Sequence, residues 1–178
     1  KLMKLKPKAF LYQNPGGYFA EQPMDEIYNL CKSNQCLVIL DVSGSIGTLL
    51  CNGKYADFLV GSFGYEKLVN AEGGGFISSK DEKLFNAAAK GIDTLESEES
   101  LARIHRELQN LPTRIPQLTK LRSKIIQDLA QFNIVHPQDT GFVVVVKYST
   151  SEEKNKLISY CQEHQLEYTE CPRYIRLL

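Results

Sequence analysis

The stretch Cys36-Leu37-Val38-Ile39-Leu40-Asp41 runs apolar from its first residue to Leu40 and then stops at a carboxylate. An apolar run without alternation is what a strand covered on both faces requires, so it reads as a central strand of a parallel sheet. Working outward, Asp57 to Ser62 carries a second buried strand, FLVGS. Upstream, Lys8 to Tyr12 is a short apolar strand closed by the turn Asn14-Pro15-Gly16-Gly17. Between these strands Pro23 suits a first helical position, with Asp25 and Glu26 in the first turn. Met24, Ile27, Tyr28, Leu30 and Cys31 supply that helix's apolar face. Gly75 to Ser78 is a fourth strand. Ser79 and Glu82 then predict a capping box, opening a helix through Ala89 that stops at Gly91. Strands alternating with helices predict an α/β fold with a mostly parallel sheet.

The remainder has a different grammar. Residues 95–135 read as helical, with Leu101, Ile104, Leu108 and Leu111 at helical spacing. Leu118, Leu121, Ile125 and Leu129 repeat that spacing after an expected break at Pro112 and Pro116. Residues 141–178 read as a βαβ unit. Phe142 to Tyr148 is its first strand, and Thr150 and Glu153 cap a helix to about His164. Tyr168 to Leu177 is extended, interrupted by Pro172. A boundary is expected near residues 92–100, in the acidic stretch Glu96 to Ser100. This gives domains 1–93 and 94–178, the second a small α+β domain.

Composition excludes several classes. The chain has 178 residues, with 21 Lys+Arg against 21 Asp+Glu. A neutral chain lacks the basic surplus of a general nucleic-acid binder. No apolar run approaches the ~20 residues of a membrane span. Lys1 to Lys8 is basic, but no long apolar stretch follows, so it is not a signal peptide. The five cysteines are scattered and form no CxxC, which argues against a disulfide frame or a zinc site and for a reducing cytoplasm. Cys31 and Cys36 read as buried small hydrophobes. His105, His136 and His164 show no ligand spacing, so no metal site is expected.

In open α/β sheets, ligands sit beyond the carboxyl ends of the strands. That rule selects Asp41 and the segment Ser62-Phe63-Gly64-Tyr65-Glu66-Lys67, with Glu72-Gly73-Gly74-Gly75 beyond it. Taken alone, Asp41 and Lys67 could be an ordinary ion pair or two solvated charges. The glycine run lacks the Lys-Ser/Thr of a phosphate-binding P-loop. Order and spacing add more. The segment KAFLY, a turn, PMDEIYNLCKSNQCLVILD, Gly47 six residues after Asp41, then Ser62, Phe63 and Lys67 before a Gly-rich turn resembles pyridoxal-phosphate enzymes of the aspartate aminotransferase fold. Within them it is most similar to the nucleotide-sugar aminotransferases. The resemblance covers residues 8–80; residues 81–178 match in layout, as the small C-terminal domain.

That resemblance implies pyridoxal phosphate as cofactor. It implies an internal aldimine on Lys67, whose freed amine later shuttles a proton. Asp41 would keep the pyridine nitrogen protonated, so that the ring draws electrons from a substrate carbanion. Ser62 would offer its hydroxyl to the cofactor phosphate, and Ser43 would lie against the cofactor ring. Arg176, and less so Arg173, would grip a substrate carboxylate with a bidentate fork. Asn14 would face the same crevice as a substrate contact. The sequence departs from the pattern at two places. Ser43 and Gly44 stand where Ala and Gln or His are usual, and the glycine turn is EGGG rather than GEGG. Glycine-cleavage and selenocysteine-synthase types are therefore further relatives to consider.

A complete enzyme of that kind is roughly twice this length. The expectation is thus the C-terminal half of a split or truncated enzyme, inactive without its N-terminal half. Its four strands would lie side by side with both sheet edges bare, and bare edges recruit partners. A homodimer or a complex with an N-terminal-half polypeptide is expected, acting on a small-molecule amino donor and acceptor, without nucleic acid or membrane. Two other readings stand beside this one. One is a non-catalytic relative serving as an interaction subunit. The other is a small nucleotide- or phosphate-binding domain.

Overall fold

The computed structural model describes residues 2–92, 97–171 and 174–177. After a short helix α1 (Leu2–Leu5), strand β1 (Ala9–Gln13), helix α2 (Met24–Ser33), and strands β2 (Leu37–Asp41), β3 (Phe58–Ser62) and β4 (Gly75–Ser78) follow in turn. They form a four-stranded sheet in the order β1-β2-β3-β4. The first three strands are parallel, and β4 is antiparallel to β3. The strands expected from sequence are present within a residue of their expected bounds, side by side as anticipated. Val38 and Leu40 of β2 are fully buried, but Leu37 and Ile39 on the opposite face are only half-buried, so the cover expected on both faces is complete on one.

Two local expectations need correction. Pro23 is the N-cap of α2 rather than its first helical residue. Helix α3 (Glu82–Ala89) is capped by Asp81, whose side chain accepts from the amides of Lys83 and Leu84; Ser79 accepts from Asp81 N instead. A carboxylate at the N-cap serves the helix dipole as well as the free amides, and so outcompetes the serine upstream.

A single helix α4 (Glu98–Asp128) spans 31 residues and runs straight through Pro112 and Pro116. The expected break does not occur. Both prolines lie on the exposed side, while Leu111 is buried and Ile115 and Leu118 pack against the first sheet's core. Carbonyls left without a helical donor on a solvent face can turn to water, and packing of the opposite face supplies what local propensity lacks. Of the apolar residues at helical spacing, Ile104, Leu111 and Ile125 are buried, whereas Leu101, Leu108 and Leu121 are exposed. Among the notional boundary residues, 93–96 lie outside the described residues, and Ser97 caps α4 by accepting from Ser100 N.

A second four-stranded sheet has the order β5-β6-β8-β7. It comprises β5 (Asn133–Val135), β6 (Val144–Lys147), β7 (Tyr168–Cys171) and β8 (Tyr174–Leu177), with α5 (Ser151–Glu163) between β6 and β7. Every neighbouring pair is antiparallel. The expected βαβ unit is therefore split: β6 and β7 run parallel, but β8 lies between them. Strand β5, which falls inside the stretch read as helical, was not anticipated. The Thr150–Glu153 capping box of α5 is present as expected. Helices α4 and α5 cover this sheet with Ile125, Leu129, Leu157 and Cys161 against Val144, Val146, Ile175 and Leu177. Among the described residues, no helix is long and apolar enough to cross a membrane. All five cysteines are free.

Candidate active site

The strand register places Gln13, Asp41 and Val60 on one level at the carboxyl ends of β1, β2 and β3. A chain of hydrogen bonds knits these ends together. Asn14 N donates to the Asp41 carbonyl at 3.1 Å. Ser43 N donates to Asp41 Oδ1 at 2.8 Å, and Ser62 N donates to Ser43 Oγ at 2.9 Å. Ser45 Oγ donates to the Asn14 carbonyl at 2.8 Å. Asp41 Oδ2 has only a long approach from Gln13 Nε2, at 3.5 Å, so most of its accepting capacity is open. Asn14, Ser43 and Ser45 are buried. Asn14 Oδ1 accepts from Gln22 N, but its Nδ2 is buried without a partner. A buried amide donor left over in this way is a place where a ligand acceptor fits.

Lys67 sits on a closed excursion between β3 and β4. Phe63 N bonds Gly74 O at 3.0 Å and Ala71 N bonds Phe63 O at 2.9 Å, which ties the ends of the excursion together. Buried Leu68 and Val69 anchor its middle. The lysine amine emerges opposite Tyr18: Nζ donates to Tyr18 Oη at 2.7 Å and lies 4.9 Å from the ring centroid. The glycine run serves β-strand approach more than ligand approach. A Cβ on Gly75 would stand 2.6 Å from the Gly61 carbonyl, while one on Gly73 would meet nothing. Glu72 of the EGGG turn is paired with Arg103 of α4 at 2.7 Å.

A cleft of about 620 Å³ opens between the two sheets, and its walls include Tyr18, Gly44, Lys67, Asn70, Arg114 and Arg176. Lys67 and Arg176, far apart in sequence, thus face one space. On β8, Ile175 and Leu177 point into the core, so period-two alternation turns Arg176 to the other face. Arg176 Nε is buried without a partner, as is Asn70 Oδ1. Arg173 lies outside the described residues. Asn14 is not on the cleft wall where a substrate contact was expected; it is sealed beneath, against Asp41. Asp41, Ser43 and Ser62, expected to hold the cofactor, likewise are not among the residues lining this cleft. Sequence reading missed Tyr18, Asn70 and Arg114. Tyr18 follows the turn at the carboxyl end of β1, so the strand-end rule could have found it. Among the described residues, no cluster of His, Cys, Asp and Glu could hold a metal ion.

No family model matches the sequence. Solved structures share its fold across almost its whole length. A serine palmitoyltransferase from S. paucimobilis matches with a TM-score of 0.70 at 16% identity, over 99% of this chain and 52% of that one. An aminotransferase, TlmJ, from Streptoalloteichus hindustanus matches with a TM-score of 0.70 at 16% identity, over 92% and 51%. Ureidoglycine-glyoxylate aminotransferase from Bacillus subtilis gives a TM-score of 0.66 at 13% identity, over 99% and 56%. The fold is that of the pyridoxal-phosphate-dependent transferases, and the chain spans about half the length of each of these structures. In sequence it resembles EpsN of Bacillus subtilis (strain 168), whose name assigns it to the pyridoxal phosphate-dependent aminotransferases. The two are 35% identical over 85 residues, 46% of this chain and 21% of EpsN.

Proposed function

We propose that the chain is the lysine-bearing half of a pyridoxal-phosphate-dependent aminotransferase acting on a small-molecule amino donor and acceptor. The observation that carries this reading is that Lys67 and Arg176 line one cleft, with Asp41 at the end of β2 holding a carboxylate oxygen that only Gln13 approaches, at 3.5 Å. The residues fit pyridoxal phosphate, which when bound supplies an electron sink at the substrate carbon. Asp41 accepts from the protonated ring nitrogen through its open oxygen. Asn14 Nδ2 donates to a ring oxygen, a cofactor role in place of the substrate role expected from sequence. Ser62 Oγ accepts from Gly64 N at 3.2 Å and keeps its own proton for a phosphate oxygen. Ser43 holds the end of β3 against the chain leaving β2 and so fixes Ser62 two residues beyond the level of Asp41. Lys67 would hold the cofactor through its amine and, when not so engaged, would move a proton at the substrate carbon. Arg176 pairs with the substrate carboxylate.

On this reading residues 1–93 form the cofactor-bearing unit and 94–178 the small unit that brings Arg176. Among the described residues, β1 and β4 each have a strand partner on one side only. Those edges are where a second copy, or a polypeptide carrying the other half of the fold, completes the sheet.

The test is direct. Pyridoxal phosphate is added, the near-visible band of a lysine-linked cofactor is sought, and borohydride reduction followed by peptide mapping locates it. The expected label is on Lys67, and the band disappears in Lys67→Ala. A band that survives that substitution removes Lys67 from its role. No band, with or without a co-expressed partner half, favours an interaction subunit over an enzyme.

A further inference from the structure

We propose that Tyr18 is the positioning partner of the free Lys67 amine, its phenol oxygen holding the amine in the cleft. The inference rests on Lys67 being the reactive amine, as proposed above. Nζ donates to Oη at 2.7 Å and lies beyond the hydroxyl, 4.9 Å from the ring centroid. That bond restrains a side chain whose free form has many rotamers.

The surroundings are shaped for this pose. A Cβ on Gly44 would collide with the Tyr18 ring, so only glycine there leaves the ring its place. Gly44 is one of the two positions where the sequence departs from the aminotransferase pattern, and the vacated space goes to Tyr18. The backbone of Tyr18 has φ of 68°, in the left-handed region that bulky residues avoid. Contacts from the segment leading into the second sheet hold it there. The Tyr18 carbonyl accepts from Phe142 N at 3.1 Å and from Val143 N at 3.4 Å. Gly141 passes so close that a Cβ would strike the same carbonyl. This segment runs directly into β6, whose Val145 is paired with Arg176 of β8. Tyr18 therefore fixes the amine relative to the strand pair that carries the arginine.

Site-resolved acylation tests this without any cofactor. Wild type, Tyr18→Phe and Gly44→Ala are treated with an acetyl N-hydroxysuccinimide ester at one fixed pH, and labelling of each lysine is followed by peptide mass spectrometry. Only an amine free to swing onto the ester attacks it, so an amine held against Oη is protected. Tyr18→Phe keeps the ring and loses the oxygen; Lys67 labelling is expected to rise about fivefold, the scale of one hydrogen bond. Gly44→Ala displaces the ring and gives a comparable rise with the hydroxyl still on the chain. Exposed Lys80 and Lys90 keep their rates. Unchanged Lys67 labelling in Tyr18→Phe overturns the proposal. So does wild-type Lys67 labelling as fast as Lys80, a result that needs no variant to fold. Failure of pyridoxal phosphate to link to Lys67 would sink the enzyme reading and leave these labelling ratios as they are.

Discussion

Asp41 Oδ1 accepts the Ser43 amide at 2.8 Å, so one carboxylate oxygen is committed to its own strand end while the other has only Gln13 Nε2 near it, at 3.5 Å. The division fixes the orientation of the carboxylate before any ligand arrives. Preorganisation of this kind lets a site bind a charged group without first reorienting a side chain.

Asp41→Asn keeps the acceptor that Ser43 N needs, so the fold should persist. The amide has no charge to hold a protonated ring nitrogen. We expect at least tenfold weaker retention of pyridoxal phosphate and near loss of turnover, measured by dialysis against the absorbance band. Wild-type retention would detach Asp41 from the pyridine nitrogen.

Gly75→Ala would bring a Cβ to 2.6 Å from the Gly61 carbonyl, a backbone atom that cannot move without parting β3 from β4. A destabilisation of about 1–3 kcal/mol is expected from such overpacking, read as a fall in urea midpoint. Gly73→Ala, in open space, should change little by comparison, and equal effects would refute the strand-approach role.

The prolines of α4 offer a gain. Each removes a helical donor on the exposed side, and interior proline costs about 3 kcal/mol relative to alanine. Pro112→Ala and Pro116→Ala should each raise stability by a fraction of that, about 1 kcal/mol or more, in chemical unfolding. A loss of stability in both would show that the helix depends on the prolines' own packing or fixed φ.

Cys161 is fully buried in the second core, and burial pushes its thiol from the ordinary 9.0 to about 11. The folded chain therefore keeps this proton where the unfolded chain releases it. Its contribution is complete below 9.0 and is lost as pH rises towards about 11. Urea midpoints taken below and above that window should fall with rising pH, and Cys161→Ala should flatten the part of the slope due to this thiol. An identical slope in the variant would exclude it.

The first sheet was legible because its strands are apolar runs ending at polar residues: CLVILD and FLVGS each announce a strand and its carboxyl end. Strand order alone singled out Asp41 and Lys67 as positions at those ends, and the roles given to them came from the family resemblance. The long helix was not legible, because proline propensity is local, whereas the burial of Leu111, Ile115 and Leu118 against the first sheet is tertiary. Strand β5 was hidden for a related reason: its three residues are too few to establish a period. Tyr18 escaped because its role depends on the absence of a side chain at Gly44, and nothing local in the sequence shows which side chain fills such a gap.

Helix α4 places Ile104 and Leu111 in one hydrophobic core and Ile125 and Leu129, at its C-terminal end, in the other. One continuous rod thus serves as a common beam for both sheets, and it also bears Arg114 on the wall of the cleft. Between those two attachments the rod lacks two backbone donors, at Pro112 and Pro116. The aperture between Lys67 and Arg176 therefore depends on how stiff the helix stays across those turns. Changes in its width should come from flexing there.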